Sequence, residues 1–436
     1  MKLINSTNLA ATLVLAMTSI VYGQEKPAVS AAPAEASPVT NPAKSESFLR
    51  FEGTDLHIGN FPPLTFHGFG SQGFLVSDTY DYLGQSKSGS FEFTEVAVNV
   101  SMSPFARTRI SAQGFLFGVG NVGGYSPGLD YAQIDYSLRS EIGFRAGRIR
   151  RPEGIYNSIQ DIDLTRTSIL LPQGMYDARY RDFSASIDGG SIYGDIGLGK
   201  AGSLSYEVYG GMVNLSADGG VARLLQDSLR NPPTQFVGVN GFPQFGCQLW
   251  WSTPLSGLRA GAALSDVIGF SYDYNLNIPP GFGGGRYRNQ LDSPVAHLSL
   301  EYQWKAWTFQ AEYKYAAYLN TQAHHNGSAT DMPGSATDVW YVGAAYRVNN
   351  WFEVGTYYTE DYADVTDRSG KDKAVSSDAF QKDFALSLRF DPKPWWVVKL
   401  EGHVITGTAL LNDTKDNPKR NEDPWFMLGV KTTFSF

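Results

Sequence analysis

Residues 425–436 read WFMLGVKTTFSF, and their alternation predicts the class of fold. Every second side chain falls on one nearly apolar face, made of Phe426, Leu428, Val430, Thr432, Phe434 and Phe436, while the other face carries Met427, Gly429, Lys431, Thr433 and Ser435. A period of two predicts a β-strand with only one side in water. The apolar side needs an apolar environment up to the end of the chain, so further strands of this kind are expected upstream.

The amino terminus predicts export. An apolar run from Leu9 to Val21 follows Lys2 and ends at small residues, as in a signal peptide. No later run approaches the roughly 18 apolar residues that a spanning helix needs, so a membrane location would require a barrel. The chain is therefore divided into a signal peptide (1–23), a disordered periplasmic linker rich in Pro and Ala (24–47), an arm or partial plug (48–63) and a β-barrel domain (64–436).

Composition fits a barrel and excludes other classes of protein. The sequence has 24 Tyr, 26 Phe and 46 Gly, one cysteine and a formal net charge of −8. A lone Cys247 cannot form an internal disulfide, and its alternation with Leu249 and Trp251 predicts a small apolar side chain on the lipid side. The acidic balance, without any basic stripe, argues against a nucleic-acid partner. No cofactor and no metal site are predicted, since the adjacent pair His324-His325 falls in a predicted loop.

Residues 296–315 give the clearest hairpin. Apolar residues alternate with polar or charged ones on both sides of a short link at Lys305-Ala306: Ala296, Leu298, Leu300, Tyr302 and Trp304 oppose His297, Ser299, Glu301 and Gln303 before it, and Trp307, Phe309, Ala311, Tyr313 and Tyr315 oppose Thr308, Gln310, Glu312 and Lys314 after it. We interpret the apolar face as the exterior and the charged face as the interior. A soluble barrel has the opposite arrangement, because its interior is the dry side.

The links between strands predict their number. Outer-membrane barrels alternate short periplasmic turns with long external loops, and seven short and eight long links can be placed here. The predicted turns include Ser103-Pro104, and the predicted loops include Gly269–Ser293. A break at Asp188 is rejected, because it would put a long loop in the periplasm. The predicted fold class is all-β: a transmembrane antiparallel β-barrel of 16 strands with both ends in the periplasm.

One loop is predicted to enter the pore. The segment from Arg151 to Arg181 is the longest loop candidate, and it holds Ile169, Leu170 and Leu171 beside Pro172. Such an apolar group gains stability by packing against the inner wall. The alternative is an external loop that packs on its neighbours.

Tryptophan placement supports the same scheme. All nine lie at predicted strand ends: Trp250, Trp251, Trp304, Trp307, Trp351, Trp395 and Trp396 beside short turns, and Trp340 and Trp425 beside long loops. Indole rings prefer the lipid headgroup level, so two aromatic girdles are predicted. The alternative is that these rings belong to the core of a soluble β-sandwich.

Charged residues near the predicted inner loop are the candidates for lining or narrowing the pore. They are Arg107 and Arg109 on the third strand, Glu141 and Arg145 on the fifth, and Arg166, Arg179, Arg181, Asp161 and Asp163 in the loop. Fixed positive charge in a narrow aqueous pore attracts anions, because low-dielectric walls focus the field. A network of salt bridges that braces the loop is an equally supported alternative.

Several motifs resemble those of a known family. They are Gly68-Phe69, Ser71-Gln72-Gly73-Phe74, Gly89 to Glu95, Gly147-Arg148, Pro152, Gly154, Tyr156-Asn157, Asp161, Thr165-Arg166, Leu170 to Gln173, Tyr176 and Arg181-Asp182. Together they resemble a set of largely uncharacterised porin-like proteins of Gram-negative outer membranes, with a looser similarity to the phosphate-selective porins. The ending at Phe434 and Phe436 resembles the signal that the barrel-assembly machinery reads. The resemblance implies an outer-membrane location after export, contact with lipid and lipopolysaccharide, and a homotrimer.

The predicted function is passive diffusion of small hydrophilic solutes or ions through an outer-membrane porin, with or without a preference for anions. A facilitator specific for one solute is the first alternative. A barrel enzyme or an adhesion scaffold is the second, although no His accompanies a nucleophile at a recognisable spacing. We therefore do not expect an enzyme.

Overall fold

The computed structural model describes residues 49–217, 219–229, 233–411, 417–421 and 423–436, so the predicted signal peptide and linker lie outside the described residues. These described residues form twenty strands: β1 Leu49–Glu52, β2 Asp55–Ile58, β3 Leu64–Ser77, β4 Ser90–Phe105, β5 Thr108–Val119, β6 Pro127–Arg139, β7 Ile142–Arg150, β8 Ser186–Gly197, β9 Ser203–Val213, β10 Thr234–Asn240, β11 Phe242–Ser252, β12 Leu258–Leu276, β13 Gly285–Trp304, β14 Trp307–His325, β15 Ser328–Asp331, β16 Ser335–Asn349, β17 Phe352–Tyr362, β18 Phe380–Lys393, β19 Trp396–Gly407 and β20 Trp425–Ser435. Two helices, α1 Arg181–Ser184 and α2 Gly220–Ser228, lie in the connections. Within the described ranges, no helix is both long and apolar enough to cross a membrane.

Sixteen of these strands close into an antiparallel barrel, as predicted. Each wall strand pairs with the next along the chain, and β20 returns to β3 with Leu428 opposite Val76 and Thr432 opposite Gln72. The four other strands, β1, β2, β10 and β15, do not belong to the wall. Residue 188 lies inside the continuous strand β8, which agrees with the rejection of a turn there.

Side chains alternate across the wall in the predicted sense. Leu300 on β13 and Leu428 on β20 are 46 % and 60 % exposed on the outer side, whereas their neighbours Ser299 and Met427 are buried inside. The buried apolar clusters therefore lie between the inner wall and the loops that fold into it. We call the end with short links the turn end and the end with long links the loop end.

Three link predictions need correction. One is the loop expected to hold His324-His325, which instead lie at the end of strand β14. The first turn lies at Ala106-Arg107 and not at Ser103-Pro104, because β4 continues to Phe105. The stretch Gly269–Ser293 is mostly strand and not loop. Here β12 and β13 extend beyond the wall, pass a bulge between Val267 and Phe270, and are joined by β10. The prediction failed because the alternating pattern continues past the bulge, whereas the bulge itself changes the side of the sheet to which every later residue points.

The predicted arm forms a small hairpin in its described part. Strand β1 pairs with β2, and β2 pairs with the first residues of β3, Leu56 opposite Leu64 and Asp55 opposite Thr65. The hairpin thus extends the sheet at the turn end. Whether this segment serves as an arm or a plug stays a prediction.

Seven of the nine tryptophans lie on the outer side or at the rim, but two do not. Trp250 faces the lumen, where the Arg259 guanidinium lies 4.5 Å from its ring centre. Trp425 is fully buried between Tyr80 and Tyr82 inside the loop end. Neighbours on a strand point to opposite sides, so Trp250 and Trp251 cannot both face lipid. The girdle prediction is therefore wrong for Trp250 and Trp425, and for the other seven it stays a prediction.

The closing strand is joined to β3 through its last residue. The Phe436 backbone N–H donates to the Gly68 carbonyl oxygen at 3.0 Å, and the Gly68 N–H donates to the Phe436 carbonyl oxygen at 3.1 Å. The Phe436 ring lies directly over Gly68, since a β carbon built there would come within 2.6 Å of the ring and 2.7 Å of the Ala97 carbonyl oxygen. Gly68 thus leaves the space that the terminal ring occupies.

Gly68→Ala should lower the yield of folded barrel, because the added methyl displaces the terminal ring or the β4 backbone. Gly70→Ala is the matched control, since a β carbon at Gly70 would only touch Val96 at 4.0 Å. Heat-modifiable migration on gels measures the folded fraction of each variant. Equal yields for the two variants would contradict this role for Phe436.

Candidate functional site: the lumen and its inner loop

The longest connection folds into the lumen. We call residues 151–185, between β7 and β8, the inner loop. Its two ends are tied together, because the Arg151 N–H donates to the Ala185 carbonyl oxygen at 3.0 Å and the Asn157 amide donates to the carbonyl oxygens of Arg151 and Ser184. A closed base of this kind sends the whole segment inwards, where Ile169, Leu170 and Leu171 are buried as predicted.

A carboxylate on β19 holds the tip of the inner loop. Glu401 accepts the backbone N–H groups of Ile169 at 2.7 Å and Leu170 at 2.8 Å. The neighbouring lumen-facing residue Lys399 donates to the carbonyl oxygens of Asp163 and Ser168. Backbone groups that a loop cannot satisfy by itself are therefore satisfied by the wall.

Two further wall strands, β14 and β11, also hold the inner loop. Glu312 on β14 accepts the Ile155 N–H at 2.9 Å and the Tyr176 hydroxyl at 2.6 Å. Gln248 on β11 donates to the Gly154 carbonyl oxygen at 2.9 Å. The inner loop is consequently fixed to two sides of the lumen and crosses it.

Asp163 is the centre of a buried charge cluster. Its carboxylate lies 2.8 Å from the Lys431 ammonium, 3.2 Å from the Arg166 guanidinium and 3.5 Å from the Lys399 ammonium, and it accepts the Thr433 hydroxyl at 2.7 Å. Burial would raise the pKa of Asp163, but the three cations hold it below its ordinary value. The cluster joins the inner loop to both closing strands, β19 and β20.

A second cluster surrounds Asp161. Arg150 and Arg181 lie 3.0 and 3.5 Å from its carboxylate, and Arg181 also pairs with Asp130 at 2.7 Å. Burial alone would raise the pKa of Asp161, yet the two guanidiniums keep it below its ordinary value. At the loop base, burial is likewise outweighed by Arg151 and His297, which lower the pKa of Glu153 to about 2.

Of the predicted pore-lining residues, five lie in the inner loop: Asp161, Asp163, Arg166, Arg179 and Arg181. All five are buried, and each is paired with an opposite charge, Arg179 with Asp177. Their positions fit a network that braces the loop. They do not present free charge to the pore.

Two predicted lining residues lie in turns, which corrects their placement. Arg107 occupies the turn after β4 with a φ of 66° and donates to the Leu138 carbonyl oxygen, and Glu141 is exposed in the turn after β6. The true turn lies a few residues later than Ser103-Pro104, which moves Arg107 off the strand. Neither residue faces the middle of the lumen.

Arg109 and Arg145 do face the lumen. Arg145 lies 2.8 Å from Asp135 and 2.7 Å from Glu207, and Arg109 donates to the Ser101 hydroxyl at 3.2 Å. Two carboxylates therefore surround Arg145, so its positive charge is more than compensated locally.

Sequence reasoning missed the anchors on the wall. Glu312, Lys399, Glu401 and Lys431 all fall on the polar side of their strands, and that alternation was the available signal. Which loop residue each one meets could not be derived from a period of two.

The architecture is that of outer-membrane porins. The outer-membrane channel DcaP of Acinetobacter baumannii is 11% identical with a TM-score of 0.51, covering 86% of this chain and 98% of that chain. Salmonella typhi OmpF is 12% identical with a TM-score of 0.51, with coverage of 86% and 98%. An anion-selective porin from Comamonas acidovorans is 10% identical with a TM-score of 0.50, with coverage of 86% and 99%. No protein-family model and no curated protein matches the chain.

Proposed function

We propose that the chain is an outer-membrane porin that lets small hydrophilic solutes diffuse passively across the membrane. The observation that carries the proposal is the closed wall of 16 strands, apolar outside and charged inside. A barrel of this size cannot fill its interior with wall side chains, so it encloses a space for water and solutes. The turn end then faces the periplasm and the loop end faces outside.

Planar-bilayer recording tests this proposal. The purified full-length protein should give stepwise ion conductance, and liposomes that contain it should swell in solutions of small sugars and amino acids. A correctly folded barrel without conductance or swelling would favour an adhesion scaffold or a barrel enzyme.

A facilitator specific for one class of solute is a second candidate. It is favoured by the attachment of the inner loop to nearly opposite sides of the lumen, through Glu401 on β19 and Gln248 on β11. A loop held on two sides divides the lumen and leaves narrower routes than one held on a single side. Saturation of the flux by one solute would distinguish this candidate from a general porin.

Charge selectivity should be set by residues on the wall beside the inner loop. Replacing Arg145 by Gln would leave Asp135 and Glu207 without their shared cation. We expect a shift of the zero-current potential towards cation preference, larger at low salt, because the Debye length shrinks to about 3 Å near 1 M. Arg107→Gln, at the turn, is the matched control. Equal shifts in both variants would contradict a selective role for Arg145.

We further propose that the protein assembles as a homotrimer and contacts lipopolysaccharide and the barrel-assembly machinery. A polar group on the outer side supports a subunit contact. Gln72, between the lumen-facing residues Ser71 and Gly73, donates to the Phe91 carbonyl oxygen and accepts the Thr94 hydroxyl. A polar side chain on the outer side of the wall packs against protein more favourably than against lipid. Native mass spectrometry of the detergent-solubilised protein tests the trimer.

A further inference from the structure

A chamber lies under the inner loop at the turn end. It measures about 270 Å³ and is bounded by the loop residues Tyr156 and Leu164 and by the inner faces of β13, β14, β16, β17 and β18. Resting on the proposed porin function, we propose that this chamber binds small zwitterionic solutes, namely short peptides, on their way through the pore.

One end of the chamber is acidic. Glu301 lies there, and its carboxylate is 2.9 Å from the Arg259 guanidinium and accepts the Gln310 amide at 2.9 Å. The Arg259 side chain is 40% exposed, so this partner can move away when a solute ammonium group takes its place. Glu301 itself is buried and is held by Gln310 on the neighbouring strand.

The other end is basic. The Arg347 side chain is 35% exposed and lies 2.9 Å from Glu353, with Asp391 as its second partner. Arg389 is fixed beside it by the carbonyl oxygen of Leu164, at 2.8 Å, and by Asp391. A planar guanidinium with further N–H groups can bind a solute carboxylate in addition to its wall partners.

The space between the two ends is lined by small and hydrogen-bonding side chains. Thr308, Gly343 and Ala345 leave room along the wall, while Gln303 and Gln310 present amides. Amides and hydroxyls of this kind suit the peptide group, which has one donor and one acceptor.

The spacing of the charges suits a short peptide. Glu301 pairs with Gln310 and Gln310 with Gly343, and Arg347 lies four residues further along β16. Strand spacing and rise then put the two α carbons roughly 16 Å apart. The Glu301 and Arg347 side chains and two contacts of about 3 Å take up part of this distance. The remaining gap fits a solute whose opposite charges are about 5–10 Å apart, as in a di- or tripeptide.

Charge balance favours a zwitterion over a simple ion. Three carboxylates, of Glu301, Glu353 and Asp391, are matched by three guanidiniums, of Arg259, Arg347 and Arg389. The fourth guanidinium at the chamber, that of Arg166, is paired with Asp163. An anion that approaches Arg347 also meets Glu353 and Asp391, and a cation at Glu301 also meets Arg259. A solute that carries both charges gains an attractive contact at each end.

Triglycine is the probe for the experiment, at pH 7 where it is a zwitterion, and its acetylated and amidated form is the neutral control. In planar bilayers, triglycine should interrupt the current of the full-length protein in a saturable way, and the neutral form should do so at least tenfold more weakly. Calorimetric titration of the detergent-solubilised protein should show the same preference, and it does not depend on conductance.

Glu301→Gln and Arg347→Gln should each weaken triglycine binding tenfold or more and leave the response to the neutral peptide unchanged. Glu141→Gln, outside the chamber, is the control. Ala345→Phe is a further variant that keeps the test valid if the charge variants fold poorly. Its ring fills the chamber and should abolish triglycine binding. Absence of conductance would overturn the porin proposal. The chamber proposal would be overturned if the channel conducts but binds both peptides equally, or if triglycine binding is unchanged in all three chamber variants.

Discussion

Replacing Asp163 by Ala should detach the inner loop from the closing strands. The change leaves the Lys399 and Lys431 ammonium groups buried, and Lys431 keeps only Glu95 as an acidic partner. Removing one member of a buried ion pair costs about 3–5 kcal/mol, because the other charge stays in a poorly solvated place. We expect trypsin to cut after Arg166, which is buried in the intact protein, and the channel current to become larger and noisier.

Limited proteolysis in lipid vesicles, together with single-channel recording, measures both effects. Asp195→Ala is the control, since Asp195 is an exposed carboxylate on β8 that accepts the Ser205 hydroxyl. Exposed contacts of this kind contribute little, about 1 kcal/mol or less. If the Asp163 variant kept both its protease resistance and its current, the Asp163 cluster would not be what holds the inner loop in place, and its other contacts with the wall would be sufficient.

Ile134→Arg should strongly impair insertion of the barrel. Ile134 lies midway along β6 on the outer side and is 52% exposed. An arginine at mid-membrane on a lipid-facing side costs about 2–4 kcal/mol, whereas a lumen position tolerates it. Gln133→Arg is the matched control, because the Gln133 side chain is next to Ile134 on the strand but points into the lumen, opposite Ser111.

Urea titration of both variants in lipid vesicles gives their free energies of unfolding. The midpoint should fall for Ile134→Arg and stay near that of the unmodified protein for Gln133→Arg. Equal losses would mean that the two faces of β6 are assigned wrongly.

Periodicity was sufficient for the wall of the barrel. A residue on a strand points to one side or the other, so an alternating segment such as Ala296 to Trp304 reveals both its conformation and its two environments. The same rule explains the failures. Trp425 shares the polar side of its strand with Met427 and Lys431. The girdle prediction relied on its position at a strand end, which does not show that the ring points inwards.

Turns and bulges were harder to place, because their positions depend on small local preferences. A shift of the first turn by a few residues moved Arg107 from the strand to the turn. A bulge after Val267 hid the extension of β12 and β13, in which the rings of Tyr274, Tyr287 and His325 stack across three strands. Such stacking stabilises paired strands and was visible only once the register was known.

The alternating pattern is enough to predict a β-barrel with an apolar exterior and a charged lumen, and composition alone predicts that the apolar segment Ile169 to Leu171 has to be buried. Where that segment is held depends on long-range contacts in the folded barrel, which no local pattern predicts. Asp163 meets Lys431, and Glu401 meets the Leu170 N–H, across a separation of 231 residues in the second case. Contacts of this range form because closure of the barrel brings together strands that are far apart in the sequence. They convert charges scattered along the chain into a network of paired, buried groups.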